Sequence, residues 1–334
     1  MRIAALVGGI GGSKFLLGLY RTMDARKLDI IVNTGDDITL HGLFISPDLD
    51  TVTYTLADVV NPEAGWGFRD ETFHTFRQLT QYGHQTWFNL GDRDLATHIH
   101  RSSMLREGAT LTQATESIRQ ALGVQARILP MTDRPVPTMI DTDEGVLHFQ
   151  EYLVQRHADP VVKGITFQGI QRARPAAGVL EAIATADAIV ICPSNPLISI
   201  GPILAVPGIR KALRTRREHA MAVCPIVGGR SLKGPSDRML AQLGFEVSAL
   251  GVARMYQDLC STFLIDSSDA AQQKAIEELD MKVSVTATVM RTISDKETLA
   301  RQVVKLLSAQ CACASQKMEA QIDDAERRST GTFR

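Results

Sequence analysis

At 334 residues the chain is long enough for two domains, or for one domain carrying a large insertion, and it can bury a sizeable core. Its 44% hydrophobic and 22% charged content is that of an ordinary globular protein. With 36 basic and 37 acidic side chains the net charge of −1 excludes a global field that would recruit nucleic acid or an anionic membrane, so a phosphorylated ligand must be held by local features.

The apolar run Ile3 to Val7 stops at Gly8, Gly9, Ile10, Gly11, Gly12, Ser13 and Lys14, after which Phe15, Leu16, Leu17 and Leu19 fall at helical spacing. This predicts a strand, a glycine-rich turn and a helix. Ile30 to Val32 predicts a second parallel strand, which would bring Gly8 to Lys14 beside Asn33 to Asp37 at the carboxyl edge of the sheet, where open α/β sheets bind ligands. From Thr51 to about Gly123 strand-like runs give way to helical stretches that hold both tryptophans, Trp66 and Trp87, and we expect a helical insertion forming a cap. Beyond Gln125 alternation resumes, with strands expected at Val146 to Val154, Val161 to Phe167, Ala188 to Cys192, Ala220 to Val227 and Val247 to Leu250. The expected architecture is therefore a doubly wound, mainly parallel Rossmann-like α/β sheet made of residues 1–50 and 124–310, with a helical insertion domain at 51–123 and a flexible tail at 311–334. No signal-peptide pattern or membrane-length apolar run is present, so a cytoplasmic protein is expected. The five cysteines lack zinc-ribbon or CxxC spacing, which fits a reducing compartment; Cys192 and Cys224 read as core residues, whereas Cys311 and Cys313 are left without a role.

Three stretches bear on chemistry. The segment from Asn33 to Val52 crowds Asp36, Asp37, Asp48 and Asp50 beside His41, and such crowding is costly unless a cation or hydrogen bonds compensate it. It is either a divalent-cation or substrate-polarising site, or a solvated acidic loop. Gly8 to Lys14 fits neither the P-loop nor the GxGxxG pattern, yet glycine amides at a helix N-terminus with a lysine nearby suit an anion. Pro193-Ser194-Asn195-Pro196 followed by Ser199-Ile200-Gly201-Pro202 is a rigid polar turn suited to a nucleotide. Arg93 sits between Asp92 and Asp94, and is either locked by them or held by them to grip a ligand.

Taken together, GGIGGSKFLLGL, NTGDD, HGLFISPDLDTV, WGFRDETF, LGDRDLATH, HFQEY and CPSNPLISIGPIL, in this order from Met1 to about Leu307, resemble the CofD/FbiA family of 2-phospho-L-lactate transferases of coenzyme F-420 biosynthesis. The resemblance implies a reaction in which a guanosine diphosphate ester of a phospho-acid donates that group to the ribityl hydroxyl of the deazaflavin Fo, with Mg2+ assisting and GMP leaving. It implies that Gly8, Gly9, Gly11, Gly12 and Ser13, with Ser194, Asn195 and Gly201, bind the nucleotide. It also implies that Asp50 and Arg93 contact Fo, that Asp50 is catalytic, and that Asp50 and Asp37 are metal ligands. A homodimer is implied too. A different reading is a YvcK-like nucleotide-sugar-binding regulator without transferase activity.

Overall fold

A computed structural model describes residues 1–310. The expected tail, with Cys311 and Cys313, lies outside the described residues. Seven parallel strands form the central sheet: β1 (Ile3–Val7), β2 (Leu28–Val32), β3 (Arg127–Pro130), β4 (Ala188–Ile191), β5 (Ala220–Val223), β6 (Thr262–Asp266) and β7 (Lys282–Thr286). Their order across the sheet is β3-β2-β1-β4-β5-β6-β7, so the winding reverses beside β1. Such a reversal opens a crevice at the carboxyl ends of β1 and β4.

Every residue of β1 and β2 is buried because helices cover both faces, which is why β1 and the Ile30–Val32 end of β2 read as unbroken apolar runs. Strand alternation divides them between two cores. Ala4, Leu6 and Ile31 pack with Ile189, Ile203 and Phe263 on one face. Ile3, Ala5 and Val7 pack on the other with Phe15, Leu16 and Leu19 of α1 (Gly9–Thr22), Leu49 and Val52 of α2 (Pro47–Leu56), and Leu299 and Val303 of a closing helix at 293–310.

The segment between β2 and β3 contains a short hairpin, Ile38–Leu40 with Leu43–Ile45, then α2, α3 (His74–Gln81), α4 (Asp92–Arg106) and α5 (Leu111–Ala121). Helices α2 and α5 belong to the sheet layer, since Leu49, Val52, Leu56 and Leu111 share the core under β1. A small separate core of Ile45, Leu90 and Leu95, flanked by Phe76 and Phe88, holds the outlying part.

The structure departs from the sequence reading in three places. Residues 145–148 and Val162–Phe167 flank Thr138–Thr142 in a separate antiparallel sheet, and Glu151–Gln155 is helical rather than strand. That sheet buries one face, on Phe149, Tyr152, Ile198 and Met239. Residues 247–250 begin a helix, Ala249–Tyr256, because Ser248 caps it by accepting the Gly251 N–H at 2.9 Å. Strands β3, β6 and β7 were not foreseen.

Candidate functional site

A cavity of about 1070 Å³ opens at the carboxyl edge of β1, β4 and β5. Its wall includes Gly8, Gly9, Ser194 and Asn195 from strand exits, Asp48 and Asp50 from the first turn of α2, and Trp66, Trp87 and Phe88 from the inserted segment. Lys14, Lys233 and Arg291 also face it.

The glycines are required first by close approach. The Gly8 N–H donates to Ser194 Oγ at 3.2 Å and the Gly9 N–H to Asp48 Oδ1 at 2.8 Å. A Cβ on Gly8 would lie 2.6 Å from Asp48 Oδ2 and 2.7 Å from Ser199 Cβ. Helix α1 starts at Gly9, which itself needs a φ of +68°, and the amides of Ile10 and Gly11 in its first turn have no intrahelical acceptor. Burial, with Lys233 and Lys296 nearby, lowers the Lys14 pKa, since neither a half-buried site nor like charges favour the ammonium form.

Asn33 ties the aspartates of this half together. Its Nδ2 donates to Asp36 Oδ1 at 3.0 Å and Asp48 Oδ2 at 2.9 Å, while its Oδ1 accepts the Gly35 N–H at 2.8 Å. Burial, reinforced by Asp48, pushes the Asp36 carboxyl well above the usual range; burial takes Asp48 to about 6 against the pull of its bonds from Asn33 and Gly9. Both groups hold their protons more tightly in the folded chain than in the unfolded one. Their stabilising contribution is therefore full below the ordinary value of 3.8 and is lost as pH rises through the folded values. Asp36→Asn, which keeps an acceptor for Asn33, is thus expected to raise the thermal midpoint relative to wild type at pH 8 in chelator, with the gain shrinking toward pH 4. A thermal-shift series across pH checks this, and a gain that is largest in acid would refute it.

The second acidic group is built by helical spacing. Asp50 and Tyr54 stand one turn apart on α2, and Asp94, His98 and Arg101 share one face of α4 at i, i+4 and i+7. Arg101 Nη1 donates to Asp50 Oδ2 at 3.1 Å and Nη2 donates to Asp50 Oδ1. His98 lies with Nδ1 3.7 Å from Asp50 Oδ2 and Nε2 3.3 Å from Asp94 Oδ2, and Tyr54 donates to Asp94 Oδ1 at 2.7 Å. Burial alone would raise the Asp94 pKa, but hydrogen bonds from His98 and Tyr54 and the charge of Arg101 bring it below the ordinary value. Ligand atoms of Asp50, Asp94 and His98 lie within 4.8 Å of one another. Two carboxylates and an imidazole, all buried and converging on one point, make a donor set that fits a divalent cation.

The profile of the family described as "2-phospho-L-lactate transferase CofD" matches residues 3–311. The chain belongs to the CofD family. It is 40% identical over 306 residues to a 2-phospho-L-lactate transferase of Methanosarcina acetivorans, covering 92% of this chain and 99% of the relative. It is 43% identical over 312 residues to a phosphoenolpyruvate transferase of Streptomyces griseus, covering 92% and 98%. Among solved structures it resembles a UPF0052 family protein from Bacillus halodurans, with a TM-score of 0.62 at 18% identity, covering 91% of this chain and 98% of that one; this likeness concerns the fold.

Against the family resemblance, Gly8, Gly9, Gly11, Ser194, Asn195 and Asp50 all face the main cavity. Gly12 and Ser13 are buried behind it in α1, where Ser13 Oγ donates to the Gly9 carbonyl at 2.8 Å. Gly201 instead faces a second cavity of about 510 Å³, with Pro196, Phe167 and Leu204. Asp37 is not in the Asp50–Asp94–His98 group; it accepts from Ser46 Oγ at 2.5 Å, and burial raises its pKa well above the carboxylate range. Neither Asp92 nor Asp94 holds the Arg93 guanidinium, which lies 4.7 Å from the Phe68 ring centroid and donates to the Arg69 carbonyl at 3.1 Å, outside the cavity wall. Asp92 accepts from the amides of His74 and Thr75, and Asp94 turns inward. Sequence reasoning assigned no role to Tyr54, His98 or Arg101, and gave Asp94 only that of a partner to Arg93. The signal for the three on α4 is the helical spacing of polar residues at 94, 98 and 101, which share its buried face.

Proposed function

We propose that this CofD family member transfers a phospho-acid group from a guanosine diphosphate ester to the ribityl hydroxyl of Fo, releasing GMP, in coenzyme F-420 biosynthesis. The observation that carries this reading is one cavity wall joining an anion-receptive helix start with Lys14 to a buried carboxylate–imidazole group two residues along from Asp48. The resemblance of the chain to both phospholactate- and phosphoenolpyruvate-transferring relatives supports the reaction class and leaves phospholactyl, phosphoenolpyruvyl and phosphoglyceryl groups as the candidates.

In this reading the amides of Ile10 and Gly11, with Lys14, receive the diphosphate, and Ser194 and Asn195 line the nucleotide side. Trp66, Trp87 and Phe88 offer flat faces to the deazaflavin ring. Asp50 orients the attacking hydroxyl. Asp50, Asp94 and His98 would hold Mg2+, which when bound neutralises charge developing on the transferred phosphate. Catalysis then rests on positioning two substrates and excluding water, not on a strong base, since Arg101 already occupies the Asp50 carboxylate. The reading also implies a cytoplasmic homodimer; no helix among the described residues is long and apolar enough to cross a membrane.

Supplying each guanosine ester in turn with Fo and Mg2+, and weighing the products, tests the reading. Transfer from one ester with GMP release is expected; Fo that neither binds nor reacts, together with nucleotide binding, would replace the transferase with a nucleotide-binding regulator.

Arg93 enters as an Fo-side residue acting through Phe68, whose ring packs on Tyr54 at 4.2 Å. Arg93→Ala removes a cation–π contact of about 0.5–1 kcal/mol, so Fo affinity should fall roughly two- to fivefold while GMP affinity holds. Fluorescence titration of Fo beside calorimetry with GMP measures both; equal losses would count against the assignment.

A further inference from the structure

We propose that Arg101 is a positioning residue of the transfer reaction: its guanidinium fixes the orientation of the Asp50 carboxylate from behind the cavity wall. This rests on the transferase reading. Arg101 is 1% exposed and is not among the residues facing the cavity, whereas Asp50 is. Two parallel N–H groups reach both Asp50 oxygens, a fork that sets the plane of the carboxylate as well as its distance. The fork is itself held in place. Nη1 lies 3.4 Å from His98 Nδ1 and 3.5 Å from the Phe44 carbonyl, and α4 packs against the strand that carries Phe44.

Each carboxylate oxygen retains a second lone pair, so the clamped Asp50 can still accept a hydroxyl proton in a hydrogen bond or share a cation with Asp94. The clamp also lets two buried carboxylates stand close together, because a fixed positive charge lies beside them. A purely structural purpose is poorly served by this arrangement, since buried ion pairs are commonly replaceable by apolar residues of similar volume without loss of stability. Asp50 faces ligand space, and an oriented carboxylate there has a use that an apolar pair lacks.

Lysine keeps the charge but offers a single point donor on a flexible stem. In the full chain, Arg101→Lys is expected to stay folded, with GMP affinity within twofold of wild type. Its kcat should fall on the order of 100-fold, as for a misplacement of about 1 Å. The KM for the guanosine ester should hardly move. The double variant R101M/D50N removes both charges and should fold; its kcat should match that of Asp50→Asn alone, because Arg101 then has nothing to orient. A wild-type kcat in Arg101→Lys, or a double variant whose kcat falls well below that of Asp50→Asn alone, would overturn the proposal. Wild-type protein that fails to transfer any of the three acids to Fo would overturn the transferase reading and this role with it, an outcome seen before any variant is compared.

Discussion

Asp50→Ala should lose both transfer activity and stability, and by different mechanisms. Turnover is expected to fall on the order of 10²–10³-fold, the effect of deleting one preorganised electrostatic contact at a reacting centre. Folding stability should fall by about 3–5 kcal/mol, because Arg101 is left buried with its main partner gone. From sequence alone this position carries charge rather than packing, and a silent effect on the fold would be expected. The buried ion pair reverses that expectation. Urea unfolding beside steady-state turnover separates the two effects, and a folded Asp50→Ala protein with near-normal turnover would remove Asp50 from the reaction.

Gly12→Ala should be destabilising although alanine is the better helix former by about 1 kcal/mol. The added methyl would fall 2.3 Å from Ser194 Oγ and 2.4 Å from Val7 Cγ2, so the turn after β4 must move away from the start of α1. Overpacking of this kind costs about 1–3 kcal/mol. Because Ser194 Oγ also receives the Gly8 N–H, the displacement reaches the nucleotide side, and GMP affinity should drop about tenfold or more, equivalent to about 1.4 kcal/mol. Calorimetric titration and chemical denaturation measure the two losses. An alanine variant more stable than wild type would show that helix propensity outweighs the contact.

Strand β1, the glycine turn and α1 were legible because each has a strong local signature: an apolar run, then glycines, then apolar residues at helical spacing. The acidic stretch was legible only as crowding. What divides its four aspartates is their partners, local only for Asp36, which Asn33 holds: Asn33 and the Gly9 amide for Asp48, Ser46 for Asp37, and Arg101, 51 residues on, for Asp50. No local period reports a pairing of that range. The separate antiparallel sheet was missed for a related reason, since its strands are short and their apolar content resembles that of the central ones. Residues 247–250 went wrong because a short apolar run fits a strand or a helix equally well until the Ser248 cap is noticed.

Asp48 and Asp50 stand in the first turn of the same helix, two residues apart, and therefore about 200° apart around its axis. One faces the glycine turn and the other faces α4. In the proposed reaction the partition between donor and acceptor would thus be a single rigid turn of backbone, and the gap crossed by the phosphoryl group would be set by helix geometry instead of by loop conformation. Loops on either side can be remodelled for a different acid or a different ring without altering that span. A shift of α2, by contrast, would detune both halves at once.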